Sequence, residues 1–230
     1  MPTYIIQNDD SFSQDILLQE EDLHHLLNVL RVKEDTVFWV TNNKGYKAKV
    51  KINSIQPFSC EVSEVIQAEP ATNITLCLAL INQQPLELAI QKLTELNIKT
   101  VQLMSCERVQ QKELSTHKLK RLDKIMVTAQ KQCGRATGMQ ILPPKPLKKL
   151  LDPNQHNIVA SPEYDTAIQT LSRDKKLGQH SHLFVGPEGG FTAKERDLFK
   201  QGNAHSISLG ESILRAETAA IVLATLIKYY

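Results

Sequence analysis

Cysteine is scarce in this sequence and does not cluster: Cys60, Cys77, Cys106 and Cys133 are widely spaced and form no C-x-x-C pair. That spacing argues against a zinc site and against a disulfide framework, leaving free thiols. The histidines show no ligand spacing either, and His180-x-His182 reads as incidental, so no metal is expected. No apolar run approaches the roughly 20 residues of a membrane helix. Met1 to Asp10 lacks the basic start and apolar core of a signal peptide, so a cytoplasmic location without a membrane partner is the expectation. The one tight glycine cluster, Gly186 to Gly190, is neither G-x-G-x-x-G nor G-x-x-x-x-G-K-[ST], which removes support from dinucleotide and P-loop readings.

What is present is an ordinary globular composition with unevenly placed charge. The 230 residues are 41% hydrophobic and 23% charged, enough for one large domain or two modest ones. The net charge of +2 conceals an asymmetry. Residues 1–72 carry 6 Lys/Arg against 11 Asp/Glu, whereas residues 73–230 carry 21 against 14. Between Arg108 and Lys149, 11 basic residues face only Glu113 and Asp123. A smaller basic zone holds Arg31, Lys33, Lys44, Lys47, Lys49 and Lys51. Two such zones point to a polyanion partner; the plain alternative is a solvated helix face plus ordinary hairpin lysines.

The first 70 residues read mainly as short strands, with one amphipathic helix marked by Leu23, Leu26, Leu27 and Leu30. A β-rich run over Thr36–Thr41, the turn Asn42-Asn43-Lys44-Gly45, and the alternating Tyr46–Ile52 predict a hairpin. Together these strands suggest a small β-barrel. Residues 69–73 form the best linker. From Ile74 the pattern becomes strand, helix, strand: strands at 74–81, 100–104, 138–142, 157–160, 182–185 and 206–209, and helices at 85–96, 115–132, 193 onward and 213–230. That alternation predicts a mostly parallel sheet covered on both faces.

The most informative stretch is Leu183 to Phe191, where an apolar run ends in a loop with three glycines and a helix follows. Thr192 and Glu195 have capping-box spacing, which starts that helix at Ala193. Leu209-Gly210-Glu211-Ser212 repeats the arrangement twenty residues on. Two such loops at the carboxyl ends of neighbouring strands make one pocket lined by backbone donors and acceptors, suited to an adenine edge. A tight βα turn without a ligand is the plain alternative for either loop, and a helical i,i+4 ion pair with Glu211 is the plain alternative for Arg215.

Gly186-Pro187-Glu188-Gly189-Gly190-Phe191, followed by Leu209-Gly210-x-x-Ile213-Leu214-Arg215-x-Glu217-Thr218-Ala219, closely resembles the SPOUT methyltransferases. Within them it is similar to the 16S ribosomal RNA uridine N3-methyltransferase family. Ala89–Leu96 resembles that family's first catalytic-domain helix, and Cys106-Glu107-Arg108 stands where the family shows Ser-Glu-Arg. Leu30-Arg31-Val32-Lys33 resembles part of its PUA-like domain, and Gln130–Arg135 matches a further segment loosely. The resemblance implies an α/β protein: a PUA-like RNA-binding β-barrel over residues 1–70, then a SPOUT domain over residues 74–230 ending in a trefoil knot. It also implies S-adenosylmethionine as cofactor, 16S rRNA of the small ribosomal subunit as partner, and a homodimer whose active site is completed across the interface. Cys106, Lys131-Gln132-Cys133 and Glu211-Ser212 depart from the family pattern and bear on RNA contact more than on the cofactor.

On that resemblance the cofactor set is Ser161, Pro162, Gly186, Gly190, Leu209, Gly210, Ile213 and Leu214. The leucines sandwich adenine, with ordinary core packing as the competing account. Arg31, Lys44, Lys47, Lys49 and Lys131 are candidates for phosphate contacts. Methylating uridine N3 requires loss of the N3 proton, which a cation near O2 or O4 favours. Arg108 and Arg215 are candidates for that cation, and Glu217 accepts the proton or orients an arginine. Rival readings are a SPOUT enzyme acting on another RNA, a non-catalytic RNA-binding protein, and a small-molecule binder.

Overall fold

The structure is a computed structural model describing residues 4–6, 12, 16, 18–161 and 181–229. Pro162 and His180 lie outside the described residues. The chain divides into two compact units: Met1–Pro70 with Val127–Gly138, and Ala71–Met126 with Met139–Tyr230.

The first unit is a four-stranded sheet ordered β1 (Tyr4–Ile6), β2 (Val37–Thr41), β3 (Tyr46–Ile55) and β4 (Phe58–Gln67). β1 runs parallel to β2 and the other pairs are antiparallel. The predicted hairpin forms: Asn42 Oδ1 accepts from the backbone N–H of Lys44 at 2.9 Å and of Tyr46 at 3.0 Å, a side chain closing its own turn. Along β3 the alternation does what period 2 demands. Ala48, Val50 and Ile52 are fully buried, and Lys47, Lys49 and Lys51 take the other face. The expected amphipathic helix is shorter than its leucine spacing suggests: α1 covers Glu20–His24, and His25–Val29 continue as a wider turn that buries Leu26.

The second unit is a six-stranded, all-parallel sheet ordered β10-β8-β9-β5-β6-β7. Its strands are β5 (Thr72–Ala79), β6 (Ile98–Ser105), β7 (Gln140–Pro146), β8 (His156–Ala160), β9 (Ser181–Val185) and β10 (His205–Ile207). The helices α2 (Gln83–Glu95), α4 (Ala193–Gln201) and α5 (Ala216–Tyr229) and the start of α3 (Thr116–Cys133), whose residues from Val127 belong to the first unit, complete the alternation. The α/β class is as expected. β5 sits between β9 and β6 and is covered on both faces, which accounts for its nearly unbroken apolar run. α2 buries Leu86, Ala89, Ile90 and Leu93, and α5 packs on α2, β5 and β9.

Two local expectations are corrected. The last helix starts at Ala216 rather than Ile213, because residues 208–215 stay in a loop and leave Ile213 86% exposed. Glu211 therefore precedes the helix, and the i,i+4 pairing with Arg215 does not arise.

Candidate functional site

Chain order runs from β5 outward to β7, then restarts beyond β9, so the connections leaving β5 and β9 run toward opposite edges of the sheet. Ligands bind at the carboxyl edge beside such a reversal. The loop after β9 lies there, anchored from below by aromatics. Phe191 packs edge-on against Phe199 at 4.8 Å, and Phe199 against Phe184 at 5.2 Å. Gly186 is required by that packing, since a Cβ there would lie 2.9 Å from the Phe191 ring.

The predicted capping box is present. Thr192 Oγ1 accepts from the Glu195 N–H at 3.3 Å, and Glu195 Oε2 accepts from the Thr192 N–H at 2.9 Å. Sequence spacing does not show the other half of this carboxylate. Glu195 is 4% exposed, and its Oε1 accepts from the Glu107 N–H at 2.8 Å, 88 residues away. One buried side chain thus ties the start of α4 to the loop after β6. Arg108 makes a second tie, its guanidinium donating to the Gly189 carbonyl. Lys112 Nζ donates to the carbonyls of Cys106 and Glu107. Burial, reinforced by the Glu195 carboxylate and opposed by Lys112, pushes the Cys106 thiol up to about 12. It stays protonated at neutral pH. In the folded protein a thiol reagent at pH 8 should modify the exposed Cys133 and spare Cys60, Cys77 and Cys106, while unfolding should expose all four. Rapid native labelling of Cys106, read by peptide mass, would contradict the burial.

A cleft opens between the ends of β8, β9 and β10. Ala160 and Ser161 line it at the end of β8, Gly186 to Glu188 and Gly190 from the loop after β9, and Leu209, Gly210 and Ser212 to Leu214 from the loop after β10. Ala216 and Ala219 of α5 close its floor. Gly210 has φ +121°, a conformation other residues rarely adopt, and its missing Cβ would meet nothing within 4 Å. Of the expected cofactor residues, Ser161, Gly186, Gly190, Leu209, Gly210, Ile213 and Leu214 all line this one cleft. Pro162 lies outside the described residues. Arg196 also lines the cleft and donates from Nη1 to the Phe191 carbonyl at 2.8 Å. Nothing in its local sequence marks it out.

Residues 67–228 match the RNA methyltransferase domain family, and residues 18–65 match the RNA methyltransferase PUA domain. The chain is 31% identical to ribosomal RNA small subunit methyltransferase E of Rickettsia conorii, over 89% of this chain and 85% of that protein. The chain belongs to this family of methyltransferases. It is also 27% identical to the Aquifex aeolicus member over 92% of its own length and 93% of that protein's. The crystal structure of the Neisseria gonorrhoeae member, bound to S-adenosyl methionine, superposes with a TM-score of 0.85 at 24% identity. It covers 100% of this chain and 98% of that one, and so shares its fold.

The remaining candidates of this methyltransferase are distributed unevenly. Arg108 lines a neighbouring pocket on the same sheet edge. Arg215 is exposed and Glu217 is 6% exposed, and neither lines the cleft. Ala216 and Ala219 face it, so Glu217, one position on from Ala216, is turned about 100° away around the helix. In the first unit, Lys47 and Lys49 share a sheet face with Trp39 and Thr41, their partners on β2. Tyr4 stacks on Trp39 at 6.4 Å, and Lys47 Nζ lies 5.5 Å from the Tyr4 ring centre. Lys131 is engaged locally, its Nζ 2.9 Å from Asp22 Oδ1. Arg31 is exposed with φ +51°, and Lys44 forms part of the hairpin turn. Replacing Lys47 and Lys49 together with alanine should weaken RNA binding and flatten its log–log salt slope by about 0.7 for each phosphate no longer neutralised. An unchanged slope in filter binding would remove this face from the RNA interface.

Proposed function

We propose that this chain, as a homodimer, transfers a methyl group from S-adenosylmethionine to N3 of a uridine in 16S ribosomal RNA of the small subunit. The observation that carries the reading is the cleft, where two glycine-bearing loops from the ends of β9 and β10 meet across β8. Its walls suit the cofactor. Leu209, Leu214 and Ile213 present apolar surface for an adenine ring, and the backbone of the two glycine-bearing loops lies beside it for its polar edge. The open space where a Gly210 side chain would stand leaves room for close approach.

When bound, the cofactor supplies a methyl group already activated on a sulfonium sulfur. The chain's own part is to bind the base, strip its N3 proton and hold the line of attack. N3 lies on the Watson–Crick edge, so the uridine must leave its pairing. Deprotonation leaves negative charge on N3, O2 and O4. A cation fixed beside these atoms lowers the free energy of that anion. Arg108 is anchored for this role through Gly189, beside the cleft wall. Glu217 is buried in the first turn of α5. The resemblance implies a homodimer whose active site is completed across the interface, and the exposed Arg215 is a candidate for that completion.

The test is methyl transfer from labelled S-adenosylmethionine to small ribosomal subunits lacking the modification, followed by nucleoside analysis. Labelled N3-methyluridine is the expected product. A different labelled nucleoside would overturn the assignment of the base atom, and absence of cofactor binding in calorimetry would overturn the cleft assignment.

A further inference from the structure

A second concavity of about 590 Å³ opens on the same sheet edge, over the ends of β5 and β6. Leu80, Ile81 and Asn82 follow β5, Arg108 to Gln111 follow β6, and Pro187 to Gly189 close it from the loop after β9. Pro187 and Glu188 line both this pocket and the cofactor cleft, so a single turn of chain separates the two. The volume is that of a small-molecule site rather than a packing defect.

Its lining has a definite polarity. Leu80, Leu86 and Leu122 are buried and form an apolar floor. Two of the charged groups on the walls are already committed to each other. Arg121 donates from Nε to Glu87 Oε1 at 2.5 Å and from Nη2 to Oε2 at 3.1 Å, and Gln83 donates to the same carboxylate at 2.8 Å. Lys118 has only a neutral partner, Gln111 Oε1 at 3.3 Å, and keeps its charge available. The side chains of Asn82 and Gln110 hold no hydrogen bond among the described residues. An apolar floor, two uncommitted amides and an ammonium without a carboxylate hydrogen-bonded to it are the complement of a pyrimidine nucleotide. The ring needs an apolar face, its edge needs amide donors and acceptors, and its phosphate needs a cation.

We propose that this pocket receives the target nucleotide, with Gln110 and Asn82 reading the uracil edge and Lys118 holding a phosphate. The proposal rests on the methyltransferase reading above. Position supports it as well as chemistry. An atom that takes a methyl group must approach the donor directly, and the pocket adjoins the cleft through one wall. Arg108 donates to Gly189, which follows that shared wall on the pocket side, and so a cation is fixed in the pocket next to the wall.

The experiment uses the full-length protein with two kinds of variant at exposed or half-exposed positions. The double replacement Gln110→Ala with Lys118→Ala removes recognition groups, and Gln111→Trp fills the pocket from its rim. The double variant should raise KM for small subunits about tenfold while leaving the calorimetric affinity for S-adenosylmethionine unchanged. With S-adenosylhomocysteine present, uridine 5′-monophosphate should show saturation-transfer NMR signals on its ring protons with the wild-type protein and lose them with Gln111→Trp. A wild-type KM in the double variant would overturn the proposal. So would absence of saturation in the wild type, or equal saturation in the filled variant. If the wild-type protein transfers no methyl to subunits, the methyltransferase reading fails instead, and the uridine monophosphate signals still decide the pocket.

Discussion

Replacing Arg108 with alanine is expected to lower kcat for methyl transfer about 100-fold, the usual loss when one preorganised charge-stabilising donor is removed. Geometry gives the reason. Arg108 follows β6, and its guanidinium is tied to the Gly189 carbonyl, next to the Pro187 and Glu188 wall that cleft and pocket share. In the proposed reaction a guanidinium held there needs no reorganisation when negative charge develops on the uracil. A freely moving cation would first have to be ordered, which takes rotamer entropy from the stabilisation. Because the role belongs to the reacting state, S-adenosylmethionine affinity should hold within about twofold while kcat falls. Arg108→Lys keeps the charge but not the planar fork, so it should recover only part of the rate. The decisive measurement is single-turnover transfer under saturating cofactor. A rate within about threefold of wild type would remove Arg108 from the chemistry.

The second large effect is expected at Glu195. Alanine there removes the capping-box carboxylate and orphans two backbone N–H groups, those of Thr192 and Glu107. A lost cap is worth about 1 kcal/mol and each unsatisfied buried donor about 1–3 kcal/mol. Part of that is recovered when water reaches the opened site, so about 3 kcal/mol of lost stability is the expectation. At this chain length it corresponds to a fall in Tm of roughly 10 °C. The functional effect should exceed what stability alone explains. The Glu107 hydrogen bond holds the loop that carries Arg108, so turnover should fall at temperatures where the variant remains folded. Glu195→Gln keeps one oxygen acceptor and should recover part of both. Thermal melts with activity at 20 °C separate the two effects. A variant that melts early yet turns over normally would show that Glu195 serves the fold alone.

Much of the secondary structure was legible because its causes are local. Alternation of Lys47, Ala48, Lys49 and Val50 specifies a strand with one wet face whatever surrounds it. Thr192 and Glu195 start α4 where their spacing says, since a capping box closes within one turn. The residues expected to hold the cofactor gather in one cleft for a related reason. Each belongs to a short glycine-bearing loop, and the sheet needs only to set the ends of β8, β9 and β10 side by side for them to meet. Where local signals compete, the reading was less sharp. The run from Ile213 has helical character, yet the loop that borders the cleft holds it out of α5 until Ala216.

By itself, then, the sequence determined the alternating elements, the parallel sheet, the paired glycine loops and the family to which the chain belongs. Tertiary structure alone decided what those loops touch. Glu195 reaches Glu107 across 88 residues, and Lys131 meets Asp22 across 109, pairings that no periodicity encodes. The nucleotide-sized pocket is likewise built from the ends of three strands that are adjacent in the sheet and distant in the chain. The physical reason is the range of the forces that set each feature. Turn chemistry and helix caps act over a few residues, whereas the partner of a buried carboxylate is whichever backbone donor the packed sheet brings beside it.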